Sequence, residues 1–120
     1  MMMIDSRPTR SRYTMAPAGQ LNRRMRLEER SVSVSSAQHQ SATFTARGTV
    51  WASIEPLTGR EFFESQTMKN DVTHRIIVRY RQEITPRHRL VMGARTFAIV
   101  SATNPGEVGM DHVCMCKEIV

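Results

Sequence analysis

Lysine is nearly absent from this chain. Of its 17 basic residues only Lys69 and Lys117 are lysines, so the net charge of +6 is carried by arginine. The planar guanidinium fork suits carboxylate and phosphate contacts, in protein interfaces or along nucleic acid. Aromatic residues make up only 6% of the chain, so most of any core must be aliphatic and methionine. There are two cysteines, Cys114 and Cys116, and no C-x-x-C, which excludes a disulfide scaffold and a zinc ribbon. No apolar run approaches the roughly 18 residues that a membrane-spanning helix needs. Met1-Met2-Met3-Ile4 runs straight into Asp5 and arginines without an apolar h-region, so a signal peptide is not expected. The expected place of synthesis is the cytoplasm, where both thiols stay reduced. The phosphate-binding G-x-x-x-x-G-K and G-x-G-x-x-G patterns and the G-x-S-x-G elbow are all missing.

What is present begins with one stretch of strand, stop and helix start. Across residues 44–54 the even positions Phe44, Ala46, Gly48, Val50, Ala52 and Ile54 are apolar or small. The odd positions are polar except Trp51. This period of two predicts a strand with one buried face. Trp51 falls on the polar face, where core or semi-core packing is the first expectation and a subunit contact the alternative. Pro56 has no N–H to donate and ends the ladder. Thr58 and Glu61 have capping-box spacing, which predicts a short helix over residues 59–68 with Phe62 and Phe63 as its apolar contacts.

Residues 1–18 hold Arg7, Arg10 and Arg12 among prolines and hydroxyls, with no periodicity, and read as a flexible basic arm. Residues 19–120 form a single domain, as expected for a 120-residue chain with 40% hydrophobic content. Leu21, Met25 and Leu27 share one face of a first strand, with Arg24 and Arg26 opposite. Val32 and Val34 can prolong it, and the Ser/Gln-rich segment that follows reads as a mobile loop. Residues 72–81 form the clearest half-exposed strand: Val72, Ile76, Val78 and Tyr80 face one way and Thr73, Arg75, Arg79 and Arg81 the other. Residues 89–92 and 96–102 are strands around the Gly93-Ala94 turn. Asn104-Pro105-Gly106 is a further turn, and a last strand covers residues 112–119. The sum is a mainly β fold, a small antiparallel barrel or sandwich of about six strands with one short helix.

Catalytic chemistry finds little support. His112, Cys114 and Cys116 share a strand face at about 7 Å intervals, but a tetrahedral site needs further ligands, and His39, His74 and His88 stand apart. The cysteines read as small buried apolar residues and His74 as a packed or edge histidine. Glu28, Glu29 and Asp71 read as solvated acids near turns. No catalytic, cofactor-binding or metal-binding residue is assigned and no cofactor is expected. A small barrel binding single-stranded nucleic acid is a separate possibility, with Trp51 and Tyr80 near Arg79 and Arg81 as its stacking platform.

Several stretches in order carry a resemblance: Gly19-x-Leu21-x-x-Arg24; the block from Trp51 through Pro56 and Gly59 to Glu61; the block from Thr73 through His74, Arg79 and Tyr80 to Arg81; Arg95-Thr96-Phe97-Ala98-Ile99; and Cys114-x-Cys116-Lys117-Glu118. Over residues 19–118 the chain resembles the phage head–tail joining family, also called head-closure or stopper proteins. It departs from that pattern in its basic arm and in its Ser/Gln segment. The resemblance implies a non-enzymatic virion protein of the neck, made in the bacterial host cytoplasm. It implies a small barrel assembled as a dodecameric ring on the portal or adaptor, closing the DNA-filled head and docking the tail. The implied partners are other copies of the chain, the portal or adaptor, a tail-completion or tail-terminator protein, and packaged double-stranded DNA; no membrane is implied. A tail-completion role in the same neck is the near alternative. The resemblance also implies a channel-facing loop over residues 33–43, with Ser35, Ser36, Gln38, His39 and Gln40 as its gating residues. Trp51, Pro56, Gly59, Glu61, His74, Arg79 and Tyr80 are then structural motif positions. Arg23, Arg24, Arg75 and Arg81 are candidate interface or DNA-channel cations.

Overall fold

A computed structural model describes residues 13–34, 40–67, 71–81 and 83–119. Six strands, β1 (Arg23–Val34), β2 (Gln40–Pro56), β3 (His74–Arg79), β4 (His88–Met92), β5 (Arg95–Thr103) and β6 (Asp111–Ile119), and one helix, α1 (Gly59–Thr67), carry the fold. The strands close into an antiparallel barrel in the order β1-β2-β3-β6-β5-β4. Closure leaves no unpaired edge around the barrel itself.

Alternation explains the interior. Met25 and Leu27 of β1, Val50 and Ala52 of β2, Ile76 and Val78 of β3, Leu90 of β4, Phe97 and Ile99 of β5, and Cys114 and Cys116 of β6 meet in one core. With a single core aromatic, Phe97, the filling is aliphatic and sulfur-containing. The cysteines are free and fully buried, packing as small apolar side chains. Burial pushes the Cys114 thiol up to about 12 and raises Cys116 as well.

The expected buried face of β2 holds for only half its length. Val50 and Ala52 are buried, whereas Phe44, Ala46 and Gly48 are exposed. For Phe44 and Ala46 the cause is a bulge: Leu27 pairs with Gly48 but Glu28 with Ala46, leaving Arg47 as the extra residue. Gly48 has φ +129°, a conformation that disfavours a side chain. Beyond the bulge, β1 leaves the barrel after its pairing with β4 at residues 26–29. Residues 30–34 and 40–44 then pair only with each other, as a two-stranded ribbon. Within the segment expected as a loop over residues 33–43, the described residues 33–34 and 40–43 are therefore strand, with Ser33 paired to Ser41 and Val34 to Gln40. Ser35, Ser36, Gln38 and His39 lie outside the described residues.

The capping box forms as expected. The Glu61 N–H donates to Thr58 Oγ1 at 3.2 Å, and the Thr58 N–H donates to Glu61 Oε1 at 3.3 Å. The expected apolar contacts of α1 do not form: Phe62 is 41% exposed and Phe63 74%, and the helix has no buried residue. Polar ties hold α1 to the sheet instead. Arg75 pairs with Glu61, and the Val72 N–H donates to Ser65 Oγ at 2.9 Å.

Candidate interaction sites

One further expectation, that Glu28 is a solvated acid, fails because charge pairing covers it. Glu28 is only 6% exposed, not solvated. Its carboxylate accepts from Arg26 Nε at 2.6 Å and Arg89 Nε at 2.7 Å. Burial would raise this carboxyl, but the two guanidinium groups outweigh it and hold it below its ordinary value. The Arg89 guanidinium in turn lies 3.4 Å from the centroid of the Phe44 ring, at the root of the ribbon. Asp71, by contrast, is exposed as expected.

The arginine stripe of β3 is similarly engaged. Arg75 reaches both Glu61 and Glu55, Arg79 donates to Asp111 Oδ1 at 2.8 Å, and Arg81 pairs with Glu83 at 2.7 Å. Of the four candidate interface cations, Arg75 and Arg81 are thus neutralised within the chain. Arg23 and Arg24 are exposed, with no ion pair among the described residues.

Asp111 was not legible as a site residue, since only a turn precedes it and no motif contains it. It is fully buried. Its carboxylate accepts from the Tyr13 hydroxyl, the Ala16 N–H and the Arg79 guanidinium. Burial opposes the charge, yet these three donors hold the carboxyl below its usual value. Residues 13–16, read from sequence as part of the arm, are thereby fastened to the barrel; residues 1–12 lie outside the described residues.

The motif positions scatter rather than converge. Pro56 closes β2 opposite His74, and Gly59 and Glu61 start α1. His74 packs its edge against Phe97 with centroids 5.2 Å apart, as a packed histidine should. Tyr80 lies past the end of β3, its ring 4.7 Å from that of His112 and 37% exposed. The Arg81 N–H donates to His112 Nδ1 at 3.3 Å, and burial lowers the pKa of both His74 and His112. Among the described residues no group of three His, Cys, Asp or Glu could hold a metal, so His112, Cys114 and Cys116 do not form a ligand set.

Trp51 departs most from expectation. It is 57% exposed, outside any core. It stands in register with Arg24 on β1 and lines a hollow with Ala18, Leu21 and Arg79. A second cleft lies under α1, with Leu57, Val72, Val100 and Met115 as its apolar lining and Glu61 and Glu64 on the helix side. The projecting ribbon, the Trp51 hollow and the α1 cleft all lie on the outside of a filled barrel.

A family model described as phage head completion protein matches residues 16–119. The solution structure of a protein from Shigella flexneri 2a superposes with a TM-score of 0.65 at 22% identity, covering 83% of this chain and 94% of that one. A chain from the virion of a native gene transfer agent particle superposes with a TM-score of 0.58 at 24% identity, covering 82% of this chain and 96% of that one. At these identities the two likenesses speak for the shared fold. No curated protein sequence matches.

Proposed function

The chain belongs to the phage head completion protein family, and on that premise we propose that it is a structural protein of the virion neck. In this reading it forms a ring on the portal or adaptor, closes the DNA-filled head and presents the docking surface for the tail. The observation that carries the reading is the family match over nearly the whole folded region. The geometry is compatible with it. The barrel interior is filled by side chains, and its distinctive features are a projecting ribbon and exposed apolar and charged surfaces. None of these requires a reacting group.

The ribbon is the element proposed to reach the channel, with Ser35, Ser36, Gln38, His39 and Gln40 at its tip. Two paired strands form its stem. Arg75 and Arg81 are already paired inside the subunit. Contacts to neighbouring proteins or passing DNA phosphate therefore fall first to Arg23 and Arg24.

Electron microscopy of lysates from a phage or induced prophage with this gene interrupted tests the reading. Separate tails beside emptied or leaking heads, restored by adding the purified protein, are the expected result. Normal infectious particles would overturn it and direct attention to oligonucleotide binding at Trp51. Deleting residues 35–40 tests the ribbon separately. Loss of packaged DNA is expected, and a stable DNA-filled particle would remove the gating role while leaving the neck role intact.

A further inference from the structure

A closed ring of identical subunits joins one patch of each chain to a different patch of the next. The barrel wall is closed, so contact across it is made by outward side chains; among the described residues free strand edges remain only outside it, as on the ribbon at residues 30–34 and 40–44. Two unpartnered apolar features are placed for it. Their strand residues come from different strands: Trp51 from β2, and Val100 and Met115 from β5 and β6, three and two steps away in the six-strand circuit. On β2, Trp51 projects outward, with Arg24 in register beside it and Arg79 lining the same hollow. On the β5 side, Val100 is 37% exposed and shares with Leu57, Val72 and Met115 a cleft of about 300 Å³ beneath α1.

The two features are complementary in charge. One is an exposed indole beside Arg24, unpaired among the described residues; the other is an apolar recess with glutamates on its helix side. Glu61 is bound to Arg75 and Thr58. Glu64 is more available: its side chain is 65% exposed, and its partner Arg60, at 3.4 Å, is itself 90% exposed. A two-fold contact of the Trp51 face with itself is disfavoured, because it would bring the arginines of both chains together.

We propose that Trp51 of one subunit seats in the α1 cleft of the next copy of this chain, with Arg24 facing Glu64. The inference rests on the ring reading above and assigns its two faces. A seated tryptophan buries about 150–250 Å² and acts as the anchor, with the surrounding surface supplying the rest of a stable interface.

Crosslinking in purified virions tests it. A chain carrying both Arg24→Cys and Glu64→Cys is expected to give a ladder of multimers on a non-reducing gel after mild oxidation. Either substitution alone is expected to run as monomer, since Cys114 and Cys116 are fully buried. Particles that contain the double variant but yield only monomer overturn the pairing. So does a dimer from Arg24→Cys alone, which would mean a two-fold contact, and so does a band joining the chain to a different virion protein. Absence of the wild-type chain from virions would instead overturn the neck reading. As an independent readout, Arg24→Glu should lower infectious titre about tenfold or more, and adding Glu64→Arg should restore it. A double variant no better than Arg24→Glu counts against the contact.

Discussion

The Tyr13 hydroxyl donates to Asp111 Oδ2 at 2.6 Å, joining the start of the folded region to the first residue of the last strand. The Ala16 N–H reaches the same oxygen at 2.9 Å, and Arg79 holds the other oxygen. One buried carboxylate thus ties together the chain entry, β3 and β6.

Asp111→Ala should therefore destabilise the domain by about 2–4 kcal/mol, because it leaves a hydroxyl, an N–H and a guanidinium without their acceptor. The lower half of that range is expected, since Arg79 is partly exposed and regains water. Thermal melting measures the loss. Hydrogen exchange at residues 13–16 should rise even under conditions where the barrel stays folded.

Tyr13 should titrate late. Burial, and then the bond to the Asp111 carboxylate, push its phenol up to about 12. A group raised in the folded state contributes stability that is complete below its unfolded pKa of about 10 and lost as pH rises through the folded value. Ultraviolet titration should show a phenolate step near 12 that disappears in Tyr13→Phe. Stability should begin to fall above about pH 10 in the parent and less steeply in that variant.

The acid limb has two parts. His74 and His112 are lowered by burial, so the stability they contribute is present above about pH 6.5 and declines as pH falls through their folded values. Glu28 and Asp111, held low by their donors, add a second loss beginning near pH 4. Melting temperatures measured across pH should show a shallow decline below about 6.5 and a steeper one below about 4. A His112→Gln variant should flatten the first part.

Cys114 and Cys116 should not react with a thiol reagent at neutral pH in the folded protein, since both are fully buried and their thiols are raised by burial. Both should react on unfolding in denaturant, giving a count of two. Prompt labelling of either in the native protein would contradict the packing of β6.

Phe97→Ala should cost about 3–5 kcal/mol, as the ring is fully buried and is the core's single aromatic. Thr58→Ala should fray α1 by about 1 kcal/mol through loss of its cap, with little effect on the barrel. Denaturant melts should separate the two.

Local chemistry alone determined much of this protein. Alternation at Val50 and Ala52, at Ile76 and Val78, and at Cys114 and Cys116 announced strands and their inward faces, because a strand's side chains alternate whatever it packs against. The Thr58–Glu61 spacing announced the start of α1 for the same reason: its bonds lie within four residues. Tertiary structure decided the rest. The Arg47 bulge carried Phe44 and Ala46 out of the barrel, and strand pairing ran on through residues 33–34 and 40–43, expected as loop. The arginines of β3 became internal ion-pair partners because acids distant in sequence came within reach. Glu28 and Asp111, unremarkable in sequence, became buried charges because folding brought donors around them from β1, β3, β4 and the chain entry. Trp51 points outward by the same alternation that turns Val50 and Ala52 inward, and tertiary structure decided only how much of it stays exposed, 57%.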